Sequence, residues 1–217
     1  MRLPFTTEQF LSVFQQYNTS VFPMQILFYL IAGVIAYLLI KRPGNSDKII
    51  NASLAFFWLW MGIMYHLVFF TAINQAAYLF GILFIIQGLL FIYSGLVTSQ
   101  LQYSNQNNIY SYAGWIFIIF ALFIYPLLGT MFGHPYPKMP TFGLPCPTTI
   151  FTFGIFLFSV KKLSIYVYII PLLWSIIGFG AALNLSIIQD YGLILAGLLG
   201  SGLILSYNKK MISGITA

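Results

Sequence analysis

The chain has 217 residues, of which 60% are hydrophobic and 6% charged. A soluble domain carries roughly a quarter charged residues, so this composition excludes a soluble protein and belongs to the bilayer. The net charge of +6 does not mark a nucleic-acid binder, because the basic residues stand in pairs at the ends of apolar runs and not along one face.

The first residues, Met1 to Phe10, lack a continuous apolar core and a small-residue cleavage site. We therefore expect the first spanning helix to act as its own insertion signal. Within residues 1–20, Thr6–Tyr17 sets Phe10, Leu11 and Phe14 at helical spacing against Glu8, Gln9, Gln15 and Gln16. That pattern predicts a short amphipathic helix on the outer surface. Thr6 and Gln9 have the spacing of a capping box.

Seven apolar runs follow: Val21–Ile40, Ile49–Phe70, Ala76–Val97, Tyr110–Met131, Thr148–Val160, Leu163–Leu183 and Tyr191–Tyr207. A span needs about 20 apolar residues to cross ~30 Å of hydrocarbon. The expected fold is all-α: a polytopic membrane protein of seven transmembrane helices, forming one helical-bundle domain over residues 1–217. Lys41, Arg42, Lys48, Lys161, Lys162, Lys209 and Lys210 fall on alternate links, and only Arg2 and Lys138 fall on the others. The positive-inside bias then places the N-terminus outside and the C-terminus inside.

Two links differ from the rest. Ser99–Asn108 is rich in Gln and Asn and is placed inside by counting, although it has no Lys or Arg. Gly133–Pro147 holds five of the ten prolines. It should be neither helix nor sheet, and residues 132–147 should form a stiff outer lid loop. The fifth run is about 13 residues, roughly 20 Å of helix. It cannot cross alone unless part of the preceding loop enters the membrane, where irregular backbone must be buried in protein or line a cavity.

Under this topology the unusual polar residues gather at the outer ends: Glu8, His66, Asn74, Gln75, His134, Cys146, Gln189 and Asp190. We take Glu8, His66, His134, Cys146 and Asp190 as a candidate outer-face polar site. His66 is read either as a neutral imidazole bonded to a neighbouring helix or as a proton-exchanging group. Asp190 is read either as the N-cap of the last helix or as a cation or proton site facing a histidine. Cys146 is read either as a small buried thiol or as a reactive one at a helix start. His66, His134 and Cys146 together could hold copper or zinc, but their spacing matches no standard site. Nothing names a cofactor or a catalytic residue: nucleotide-binding loops and GxSxG and HExxH motifs are absent from the sequence. Pro126 and Pro171 should kink their helices, and such breaks often mark binding sites in transporters. Gly192, Ala196 and Gly200 form a close-packing stripe on the last helix, which offers a route to a homo-oligomer.

The stretches Pro4–Phe10, Trp60–His66, Gly133–Pro137, Phe142–Thr152 (with its Pro-Cys-Pro-Thr-Thr core) and Gln189–Leu193 resemble a family of bacterial polytopic membrane proteins of unknown function. The resemblance implies a bacterial inner membrane and no particular activity.

Three functions compete. The first is a small transporter or channel-like carrier with an outward-facing polar site, taking a small solute or cation, with the proline loop as lid. The second is an accessory or structural membrane subunit. The third is an intramembrane redox or metal-dependent enzyme using Cys146, and a single cysteine with no resolving partner argues against it. Its expected surroundings are the lipid bilayer and not nucleic acid.

Overall fold

The structure, a computed structural model, describes residues 3–213. Arg2, counted above at the outer end, lies outside them. The helices are α1 (Thr7–Ser20), α2 (Met24–Lys41), α3 (Ser46–Trp60), α4 (Ala77–Phe91), α5 (Ile109–Ile119), α6 (Tyr125–Met131), α7 (Pro145–Phe156), α8 (Ile165–Leu185) and α9 (Tyr191–Ile212). Three wider π-helical turns continue them: Met61–Phe69 after α3, Ile92–Val97 after α4, and Phe120–Ile124 between α5 and α6.

Six continuous helices are long and apolar enough to cross a membrane: Met24–Lys41, Ser46–Ala72, Ala77–Val97, Ile109–Met131, Ile165–Leu185 and Ile188–Ile212. Their outward faces are apolar as well, with Leu30, Ile82, Ile116 and Leu195 all more than half exposed. This is the build of a helical integral membrane protein, whose backbone polar groups are satisfied within each helix.

The fifth apolar run behaves differently from the other six. Its helix, α7, has 12 residues, begins at Pro145 and stops at Phe156, short of Val160. Every residue of it is buried. It packs against α5, α8 and α9, and Trp58 of α3 donates to Thr152 Oγ1 at 3.0 Å. The expectation that all of Gly133–Pro147 lies outside helix is therefore corrected: Pro145 and Pro147 belong to the first turn of α7. A helix start leaves N–H groups without internal partners, and in apolar surroundings water is not available to take them. Proline has no N–H to leave unpaired, so two prolines in this turn lower the cost of starting a helix there.

The segment before α7 is buried too. Phe142 is 0% and Leu144 1% exposed. Its backbone is paired by side chains: Gly143 N–H donates to Thr148 Oγ1 at 3.2 Å, and the Tyr17 hydroxyl donates to the Gly143 carbonyl at 3.1 Å. The irregular backbone before α7 is thus enclosed in protein, with its polar groups paired.

Helix α1 carries the full capping box: Thr6 N–H donates to Gln9 Oε1 at 2.8 Å and Gln9 N–H to Thr6 Oγ1 at 3.2 Å. Its apolar face packs Phe10, Phe14 and Tyr17 onto Tyr65 and Phe70. Asn18 then fastens α1 to the proline loop, donating to the carbonyls of Pro137 (2.7 Å) and Met139 (2.8 Å) and accepting from Thr141 Oγ1 (2.9 Å).

At the opposite end the Gln/Asn-rich link is tied to the basic loops. Tyr103 N–H donates to Asp47 Oδ1 at 2.8 Å, Asn51 Nδ2 to the Leu101 carbonyl at 3.1 Å, and Lys161 Nζ to the Ser99 carbonyl at 3.2 Å. Asn208 clamps both backbone groups of Leu163, at 2.8 and 3.0 Å. Ser99–Asn108 therefore shares one end of the bundle with Asp47, Lys161 and Asn208, although it has no charge of its own.

Pro126 cannot donate to the Leu122 carbonyl one turn back, and the Tyr29 hydroxyl from α2 takes that acceptor at 3.1 Å. The small-residue stripe of α9 is used within the chain. A Cβ at Gly200 would lie 2.9 Å from Phe153 and one at Gly192 2.3 Å from Phe120, and Ala196 is fully buried.

Candidate functional site

At the proline-loop end the helices enclose a cavity of about 380 Å³, within the size range of small-molecule sites. Its roof is Leu3, Phe5, Phe10 and Phe14 of the N-terminal segment. One wall is Tyr65, Phe70 and Phe80, and the other is Trp174, Ile177, Gly178 and Ala181 of α8. Leu144 to Pro147, Tyr125 and Asp190 also line it. Leu3, Asn74 and Ala181 are half-buried, and Ile177 and Asn184 are exposed. We take these five as its rim.

Cys146, Asp190, Tyr125 and Trp174 of the lining each stand at a helix end or near an in-helix proline. Cys146 sits in the first turn of α7 between the two prolines and is buried. Asp190 ends the short 3₁₀ turn Ile188–Asp190 that leads into α9. By position it is the N-cap of α9, yet its side chain makes no capping hydrogen bond. The Tyr125 hydroxyl instead donates to Asp190 Oδ1. Tyr125 stands where the π-helical turn meets α6, directly before Pro126. Trp174 lies one turn beyond Pro171 on α8. Gly178, one further turn along, has only hydrogen there, and a Cβ would come 3.9 Å from both Cys146 Sγ and Trp174 Cε2. That fixes Cys146 and Trp174 as neighbours over the same glycine.

The five sequence candidates divide. Cys146 and Asp190 line the cavity. His66 is 0% exposed, in the middle of the π-helical turn. Its ring lies 4.5 Å from Phe84 and 5.0 Å from Trp174, centroid to centroid, and also contacts Phe70 and Phe80. Since Phe70, Phe80 and Trp174 line the cavity, His66 sits behind that aromatic wall. The reading of His66 as bonded to a neighbouring helix is corrected: neither ring nitrogen has a hydrogen-bond partner among the described residues. The N-cap reading of Asp190 is corrected likewise, because Tyr125 competes for its carboxylate. Glu8 is exposed in the first turn of α1, and His134 is half-buried in the proline loop; neither lines the cavity. Burial first, and the Lys138 ammonium second, hold the His134 imidazole below its ordinary range.

The lining therefore differs in character from the polar site expected. Eight of its residues are aromatic, from Phe5 to Trp174, and none is Lys, Arg or His. The ion pair among the described residues, Arg42–Asp47 at 3.9 Å, stands at the other end. No group of three His, Cys, Asp or Glu that could hold a metal ion occurs among the described residues. Sequence reasoning missed Tyr125, Trp174 and the phenylalanines of the roof. The available signal was the pair of in-helix prolines, since Tyr125 precedes Pro126 and Trp174 follows Pro171 by one turn.

A family model of unknown function, DUF6064, matches residues 7–214. The chain belongs to that family. No curated protein matches it, and no solved structure does.

Proposed function

We propose that this DUF6064 member is a small membrane carrier whose site is the cavity beneath α1. The observation that supports this is an apolar chamber of about 380 Å³ with a buried carboxylate, Asp190, in its wall. A chamber of that size left in a close-packed bundle forfeits packing contacts unless a ligand fills it. In the proposed topology the chain passes through the bilayer seven times, by the six long helices and by α7 with the buried segment before it. The N-terminus is outside, the Lys-rich end faces the cytoplasm of a bacterial inner membrane, and the cavity opens outward under a proline-rich lid.

The sole cysteine tests access. In oriented membrane vesicles, a membrane-impermeant thiol reagent added from the outer side should modify Cys146, and Ala181→Trp, which fills the rim, should slow that reaction at least tenfold. Labelling that is faster from the Lys-rich side would overturn the outward opening. Reporter fusions at Asn107 and after Ala217 should both read cytoplasm. An accessory subunit would instead be recovered with a fixed stoichiometric partner.

A further inference from the structure

The lining contains one ionisable carboxyl, Asp190, and no basic side chain. Asp190 is 3% exposed and forms no salt bridge with a described residue. The groups facing it are the Tyr125 hydroxyl and the Cys146 thiol, both neutral when protonated. An ionised carboxylate in apolar surroundings is strongly disfavoured unless a proton or a cation neutralises it. The same cavity is lined by Phe5, Phe10, Phe14, Phe70, Phe80 and Trp174. Aromatic faces attract a positive charge, and recognition of quaternary ammonium groups by aromatic cages uses this. An anion would meet a carboxylate with no basic side chain in the lining to offset it. A small inorganic cation would lose its water shell and find one carboxylate and few other oxygens in exchange.

We infer that the cavity takes a lipophilic organic cation, with its charge on Asp190 and its apolar groups against the phenylalanines and Trp174. This inference rests on the carrier reading above. It adds a constraint on exchange, because proton and organic cation neutralise the same carboxylate and so exclude each other. Acid should then weaken binding. Tyr125, Cys146 and Tyr65, the other titratable groups around the carboxylate, carry no positive charge that could replace either.

The test is equilibrium binding of tritiated tetraphenylphosphonium to the full chain in nanodiscs of zwitterionic lipid, with empty discs subtracted. Competitors are unlabelled tetraphenylphosphonium, its charge-reversed analogue tetraphenylborate, and neutral triphenylphosphine oxide. We expect saturable binding at one site per chain that only the cation displaces. Asp190→Asn should weaken it at least tenfold and abolish its dependence on pH, Asp190→Glu should recover part of the affinity, and His134→Gln, outside the cavity, should leave it unchanged. Thermal unfolding of each variant separates loss of site from loss of fold. Equal displacement by the borate or the neutral oxide, or unchanged affinity in folded Asp190→Asn, overturns the cation assignment and leaves the carrier reading standing. Absence of saturable tetraphenylphosphonium binding also overturns the cation assignment, and the carrier reading then stands or falls on the Cys146 labelling.

Discussion

Gln87 on α4 donates from Nε2 to the Val167 carbonyl on α8 at 2.8 Å. Val167 lies four residues before Pro171, so its carbonyl is the acceptor that proline leaves without an N–H. Tyr29 plays the same part for Leu122 and Pro126. The carbonyl that each proline leaves without a partner is thus taken by a polar side chain from another helix. In apolar surroundings nothing else supplies a donor.

Gln87→Leu should destabilise the protein by about 1 kcal/mol, the order measured for interhelical hydrogen bonds in membranes. Pro171→Ala supplies an N–H to Val167, so the cost of Gln87→Leu should shrink in that background. A double-mutant cycle on unfolding in mixed micelles measures the coupling. Additive costs would show that Gln87 does not act through the proline gap.

Asn18→Asp should free the proline loop. A carboxylate cannot donate to the Pro137 and Met139 carbonyls that the Asn18 amide holds at 2.7 and 2.8 Å. The expected loss is about 1–3 kcal/mol, the cost of leaving buried acceptors unpaired. Limited proteolysis should then cut between residues 133 and 140 several-fold faster. An unchanged cutting rate would place the rigidity of the loop in its prolines alone.

Gly143→Ala should be among the most damaging single changes in the chain. Gly143 has φ +100°, and a Cβ there would lie 2.3 Å from Cδ2 of Phe28. Strain in this backbone region costs on the order of 1–3 kcal/mol before any clash is counted. Phe28→Ala in the same chain relieves the clash and leaves the strain. Gly143→Ala should therefore cost less thermal stability in the Phe28→Ala background than in the wild type, and the cost that remains there is the strain.

His134 gives the proline loop a pH dependence of defined sign. Burial and Lys138 hold its folded pKa below the ordinary value, which is about 6.5. The unfolded chain therefore binds the proton more readily, and stability falls as pH drops through about 6.5 toward the folded value. Stability-versus-pH curves of the wild type and His134→Gln should converge above neutral pH. They should part on acidification, with the variant the more stable.

Most of the scaffold could be read from local signals. The apolar runs and the capping box of Thr6 and Gln9 follow from spacing along the chain, because each concerns residues within a few turns of one another. Pro145 and Pro147 signal a helix start as readily as a loop, and the fold uses them in the first turn of α7. The site was hardly legible. Cys146 and Asp190 stand out because polar residues are rare in spans. Whether Asp190 caps the helix that follows it or accepts from Tyr125, 65 residues earlier, is set by the packing that brings α6 beside the start of α9.

The amino-acid sequence by itself determined the class of the molecule, the number of long apolar helices within one, and the grouping of its basic residues on alternate links, since bilayer thickness and the cost of charge in hydrocarbon act on composition directly. Only the tertiary structure decided that a short helix would occupy the centre, that Gln87 and Tyr29 would complete two proline breaks, and that eight aromatic residues from distant segments would face a common void instead of filling it. In a chain this uniformly apolar, hydropathy does not distinguish a phenylalanine that packs from one that faces lipid or lines a cavity. That choice is made by which helices meet.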